Sequence, residues 1–406
     1  MNRSAGRLLL ALALAWLPAC AGPERAVESA ASPTLVAEAP EPLASPAGPG
    51  AMAPYLAAAG EDLLMSWLEP GHRFLVSRLH DGSWSEPVVV AQGDDFFANW
   101  ADVPKVAVAG DGTLWAHWLA KLGAGTYAYG IFLARSADGG ASWQPMGLLH
   151  HDDRSPTEHG FVAYAPEGDG LRAVWLDGRE MEQGGPMTVR SARLDETVGA
   201  SQVIDPRVCE CCPTALAATA RGALAIYRDR SSEEVRNMGV SRFDGGDWSA
   251  PRALHDDGWK IPGCPVNGPA VDAAGETVAV AWFTVIDQAP RVQLAFSHDS
   301  GDSFGPPRVV DGDRPLGRVS LVLDGDASAW VSWLAVRDDR AEVMVGRFAA
   351  EGESWERWSV ASTGGSRGSG IPRLARVGDR LYIAWVETAD DQPAAVRLAT
   401  WAAPGG

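Results

Sequence analysis

An aromatic residue closes a short apolar run at Trp67, Trp118, Trp175, Tyr227, Trp282, Trp333 and Trp385, with spacings of 51, 57, 52, 55, 51 and 52 residues. A self-similar period of about 50 residues constrains the fold more than any local propensity does. Each unit is one supersecondary element that cannot bury its apolar face alone, so units must stack. The cleanest copy runs from Pro269 to Phe304: a proline opens an apolar run, a Gly275-Glu276 turn leads to a second run ending at Trp282, and a third run covers Arg291 to Ser297. Runs this short, alternating in polarity and bounded by Gly, Asp and Pro, are strands and not helices. Prolines open four other first strands at Pro54, Pro104, Pro213 and Pro372, and Gly160 and Gly317 stand near the start of the remaining two. Seven such units predict an all-β propeller over residues 51–406, with seven blades and six as the alternative. Burying a tryptophan removes roughly 150–250 Å² from water, worth at most about 4–6 kcal/mol, so one aromatic per unit at a fixed place reads as packing between blades.

The amino terminus reads differently. A basic start, Met1 to Arg7, precedes an apolar run from Leu8 to Leu17 that is too short to span a bilayer, the pattern of a signal peptide over residues 1–19. It ends Leu17-Pro18-Ala19-Cys20, which resembles a bacterial lipobox. That resemblance implies lipid on Cys20 and a membrane anchor in the cell envelope. Ala21 in the next position favours the outer membrane, facing the periplasm or the cell surface. Residues 20–50 are rich in Pro, Ala and Glu and read as a semi-extended tether. The last unit stops soon after Trp401 without a fourth strand, and Thr34–Ala37 (TLVA) is expected to supply it and close the ring. The net charge of −18 opposes nucleic-acid phosphates, and no basic stripe offsets it, so no nucleic-acid partner is expected.

Two segments share the pattern S-x-D-x-G-x-S-W/F: Ser136-Ala-Asp138-Gly-Gly140-Ala-Ser142-Trp143 and Ser297-His-Asp299-Ser-Gly301-Asp-Ser303-Phe304. Weaker copies lie at Asp81 to Trp84, Asp244 to Trp248 and Glu351 to Trp355, at the same place in the repeat. This pattern resembles the Asp-box, or BNR repeat, of the sialidase superfamily. The resemblance implies a sialidase-like propeller, with the boxes joining third and fourth strands on the face away from the active site. Asp and Ser side chains satisfy a tight turn there, and Gly accepts its dihedrals. The catalytic set of sialidases is an arginine triad that clamps a carboxylate, a Tyr–Glu pair and an acidic residue. Where the family carries its first arginine this chain reads Ala51-Met52-Ala53-Pro54, and Gly370-Ile371-Pro372-Arg373 also lacks the preceding arginine.

Repeat phase places the loops after second strands and before first strands on one face. That face carries Trp175-Leu-Asp177-Gly-Arg179 and Tyr227-Arg228-Asp229-Arg230 on adjacent units. Asp177, Arg179, Arg228 and Asp229 are therefore the candidates for holding an acidic sugar and presenting a carboxyl acid. The same face receives Cys209-Glu-Cys211-Cys212-Pro213 and Cys264-Pro265, each just before a first strand of the fourth or fifth unit. In an exported chain these four cysteines read as two disulfides, as a thiolate site for Cu or Zn, or as one disulfide with a redox-active pair. Bridging neighbours one to three residues apart is strained, which favours reducible bonds or metal. Three functions follow: a binding or scaffold propeller with a carbohydrate or protein ligand, a sialidase-like exo-glycosidase, or a copper-, zinc- or thiol-handling envelope protein.

Overall fold

A computed structural model of the chain describes residues 40–152, 157–325, 328–352, 355–389 and 392–402. The signal peptide, Cys20 and Thr34–Ala37 lie outside the described residues. Seven antiparallel sheets, each one blade, follow one another in chain order. Blade 5 shows the unit, with strands Ala270–Ala274, Thr277–Ile286, Ala289–Ser297 and Arg308–Asp311 paired in sequence. The first strands of the others are Met52–Ala59, Lys105–Val108, His159–Glu167, Ala215–Thr219, Pro315–Asp324 and Arg373–Val377. All seven face the axis and enclose a channel of about 330 Å³. Seven blades, not six, form the ring.

Among the described residues the ring closes through an amino-terminal strand, as expected, and that strand is Glu41–Leu43. Glu41, Pro42 and Leu43 pair antiparallel with Thr400, Ala399 and Leu398 of the last blade. Gly50 N–H then reaches Ala394 O, and the Trp84 indole donates to Ala44 O. The segment expected to be tether therefore joins the propeller from Glu41 onward. Edge pairing uses backbone groups and tolerates a proline, and Leu43 adds packing against the core shared by blades 7 and 1.

The repeated aromatics pack between blades. Trp175 sits in the cluster shared by blades 2 and 3, Tyr227 in that of blades 3 and 4, Trp282 in that of blades 4 and 5, and Trp333 in that of blades 5 and 6. Each faces the preceding blade, and for Tyr227, Trp282 and Trp333 an acidic residue of that blade meets the polar end, whereas Trp175 donates to Asp177 of its own strand. The Tyr227 hydroxyl donates to Asp205 at 3.0 Å, Trp282 Nε1 to Asp257 at 2.7 Å and Trp333 Nε1 to Asp311 at 2.6 Å. Trp118 of blade 2 also faces the preceding blade, against the core shared by blades 1 and 2, but it is only partly buried, between Phe96 and Phe132. Its neighbour Leu119 points to the other face, into the seam with Trp175.

Both good Asp-boxes adopt the same turn. Asp138 accepts from Ser142 N at 2.9 Å and Ser142 Oγ at 2.6 Å, and Asp299 accepts from Ser303 N and Oγ at 2.9 and 2.5 Å. These bonds hold both carboxyls near 2. Gly140 and Gly301 lie at φ of 100° and 88°, which an L side chain rarely adopts. Each box follows a third strand, and so lies on the face opposite the cysteine loops.

Candidate functional site at the propeller mouth

The loop Cys209–Pro213 enters the first strand of blade 4, and its shape is fixed by neighbours. Cys209 N–H donates to Arg228 O, and Val208 N–H donates to Met187 O. Glu210, between the first two cysteines, is gripped by Arg230 and Arg236. Both guanidiniums also pair with Glu234, at 2.7 and 2.8 Å. Two arginines shared by two glutamates form a network whose members restrict one another, so the loop is held by more than one weak pair.

The consequence is a convergence of sulfur. Cys209 Sγ lies 3.4 Å from Cys212 Sγ and 3.9 Å from Cys211 Sγ, and all three sulfurs fall within 4.8 Å of one another. A tetrahedral site with bonds of about 2.3 Å needs sulfurs about 3.8 Å apart, which this spacing approaches. A disulfide needs about 2.05 Å, and Cys209, Cys211, Cys212 and Cys264 are all free. Cys209 and Cys212 are buried, Cys211 is half-buried and Cys264 is exposed. Hydrogen bonds from Cys211 and Cys212, with the Arg236 charge nearby, hold the Cys209 thiol far below its ordinary range. Cys211 is pushed up by its sulfur neighbours Cys209, Cys212 and Cys264, and Cys212 chiefly by burial.

Cys264 reaches this cluster because Gly268 lets its loop lie against blade 4. A Cβ at Gly268 would stand 2.2 Å from Pro213 O. Gly268→Ala is expected to cost about 1–3 kcal/mol by overpacking and to draw Cys264 away from Cys211. Denaturant melts and the rate of Cys264 alkylation check both effects. An unchanged alkylation rate would mean the close approach does not position Cys264.

Cys211 and Cys264 line a cavity of about 690 Å³ at the mouth, together with Trp100, Tyr127, Glu158 and Arg230. The acidic and basic candidates from the sequence do not gather around it. Arg228 is buried and donates to Asn267 O, Arg236 O and Phe283 O, with its face over Trp259. It bolts three backbone segments together. Asp177 is buried, and its oxygens accept from the Arg179 guanidinium twice at 2.7 Å and from Trp175 Nε1 at 2.9 Å. Hydrogen bonds from Arg179 and His159 hold its carboxyl far below the usual range, against the cost of burial. Asp229 is pushed up to about 6 by burial, yet it is not among the residues lining the cavity.

The pair that the sequence did not single out is Tyr129 and Glu158. The Tyr129 hydroxyl donates to Glu158 Oε1 at 2.5 Å. This is the residue pairing of a sialidase nucleophile, but burial and the Glu158 charge push the Tyr129 hydroxyl upward, away from activation. His150 and His159 stack at 3.8 Å, with Asp177 3.5 Å from His159, and brace the blade 3 loop.

Comparison with solved structures places the architecture. The polysaccharide lyase Uly1 superposes over 87% of this chain and 90% of its own, with a TM-score of 0.56 and 11% identity. A PL25 ulvan lyase bound to -[GlcA(1-4)Rha3S]- covers 90% of this chain and 94% of its own, with a TM-score of 0.51 and 9% identity. The fold is that of a sialidase-like β-propeller. The intramolecular trans-sialidase from Ruminococcus gnavus covers 87% of the chain and 94% of its own at a TM-score of 0.47 and 11% identity. No protein-family model and no curated protein sequence matches the chain. The sialidase-like propeller here has its Asp-boxes in place on one face and a thiol cluster on the other.

Proposed function

We propose that this protein is a lipid-anchored cell-envelope propeller that binds one thiophilic metal ion, Cu(I) or Zn(II), at its mouth. Cys209, Cys211 and Cys212 are the ligands, and Cys264 is the fourth. The observation that carries this reading is the convergence of three free sulfurs within 4.8 Å. Soft thiolates select such ions over the hard cations that carboxylates hold. Cys20 is the lipid attachment site, and the propeller stands off the outer membrane on residues 21–40. The mouth cavity, with Trp100 and Tyr127 on its wall, has room beside the metal for a carbohydrate or a side chain of a protein partner.

The role is binding and not glycoside cleavage. The guanidinium best placed by sequence to clamp a sugar carboxylate, Arg228, is spent on backbone carbonyls. Robust hydrolysis of a fluorogenic sialoside would overturn that statement. The metal reading is tested by intact mass of the mature chain, exported to a periplasm with Cys20→Ser, under native and denaturing non-reducing conditions. The expected result is a full-thiol mass carrying one copper or zinc, lost on denaturation. A mass short by two or four hydrogens with no adduct would make the cluster a disulfide system and overturn the proposal.

A further inference from the structure

The axial channel is lined by two cationic side chains that make no ion pair among the described residues. Near its mouth side, the wall is built by Tyr55 of blade 1, Lys105 of blade 2, Tyr164 of blade 3 and Arg373 of blade 7. Lys105 is 8% exposed; its Nζ donates to Val162 O and lies 5.3 Å from the Tyr55 ring centroid. The Arg373 guanidinium carbon lies 5.5 Å from the centroid of the same ring. Arg373 Nε is buried without a hydrogen-bond partner, and no ion pair meets its guanidinium among the described residues. Two cations thus flank one tyrosine. Burial and the Arg373 charge push Lys105 down to about 7.

The carboxylates of the channel are engaged elsewhere. Asp102 accepts the Phe161 N–H at 2.7 Å, and its charge acts on Lys105 through space without an ion pair between them among the described residues. Asp272 accepts from Ala273 and Leu323 N–H groups, and Asp324 pairs with Arg347 and Arg376. A guanidinium in a narrow channel with its Nε buried and unbonded is costly, and a ligand can supply the missing acceptor and charge.

We propose that the mouth-side end of the axial channel binds a small oxyanion of the phosphate or sulfate kind, held by Lys105 and Arg373 beside Tyr55. The guanidinium fork takes two oxygens, the ammonium a third, and the Tyr55 hydroxyl offers a further donor. The channel volume of about 330 Å³ lies at the small end for ligand cavities, which suits a single anion and not a sugar chain.

The test is thermal melting and calorimetric titration of the mature Cys20→Ser chain with inorganic phosphate, against sodium chloride at matched ionic strength and pH 6. Wild type is expected to bind phosphate saturably and to gain about 3–5 °C in Tm at a hundredfold excess over Kd. Arg373→Met and Lys105→Met are each expected to abolish that gain. Without phosphate, both should melt at or above wild type, because each removes one of two facing cations. No gain beyond the chloride control overturns the proposal, and so does an undiminished gain in Arg373→Met. Should one variant fail to fold, the other carries the same decision. Sulfate in place of phosphate should compete in the titration; a site that binds acetate but neither of these also overturns the assignment.

Discussion

A chain carrying Cys209→Ser and Cys212→Ser is expected to lose a bound copper or zinc ion by at least about a hundredfold in affinity while keeping its propeller. Serine keeps the size of the side chain but its hydroxyl does not ionise to a ligand near neutral pH. Both residues sit at the back of the cluster, buried, and their loss leaves Cys211 as the one sulfur of the 4.8 Å group. The fold should survive, because the pairing of Glu210 with Arg230 and Arg236 and the Cys209 N–H bond to Arg228 O need no sulfur, and only the contact of Arg236 with the Cys209 sulfur is altered. The exposed Cys264 is the contrast: Cys264→Ser should weaken binding less, since water or Cys211 remains at the open side. Competition titration with a chromophoric chelator gives the affinities, and circular dichroism monitors the fold. Unchanged affinity in the double variant would remove the sulfurs from the function altogether.

The fold was legible in the sequence where its determinants are local. The Asp-boxes bond within eight residues, so Ser136 to Trp143 announces its own turn. The blades announce themselves through aromatics that recur with the chain's period. Blade 2 keeps the same phase, with Trp118 toward blade 1 and Trp115 toward blade 3, and what the repeat does not tell is that Trp118 is the less buried of the two. The closing strand Glu41–Leu43 is hard to read from sequence because Glu41 and Pro42 are poor strand formers, and it is held by backbone pairing and by Leu43 against the core of blades 7 and 1. At the mouth, repeat phase brought the cysteine loops of blades 4 and 5 to one face. It did not reveal that Arg228 is structural, since its carbonyl partners Asn267 and Phe283 lie 39 and 55 residues away. Nor did it reveal the grip on Glu210, because Arg236 is 26 residues distant.

Removing the Asp311 carboxylate is expected to be among the most damaging single changes in the propeller, about 3–5 kcal/mol for Asp311→Ala. Asp311 ends the last strand of blade 5 and is 0% exposed. It accepts the Trp333 indole N–H at 2.6 Å and an Arg337 N–H at 2.5 Å, both from blade 6, and Arg357 lies 3.7 Å away. Alanine leaves a buried indole N–H and guanidinium groups facing an uncompensated void across a blade interface. The latch between Tyr227 and Asp205 offers an internal comparison. There the donor is a neutral hydroxyl at 3.0 Å, and burial already raises the Asp205 carboxyl. Asp205→Ala should therefore cost only about 1–2 kcal/mol. Urea unfolding midpoints rank the two. If Asp311→Ala costs less than Asp205→Ala, the charge at the blade 5–6 seam adds nothing, and packing of Trp333 alone joins the blades. If the order is as stated, the repeat owes its stability to two things at one position: an aromatic ring that fills the seam, and an acid from the preceding blade that fixes its polar end.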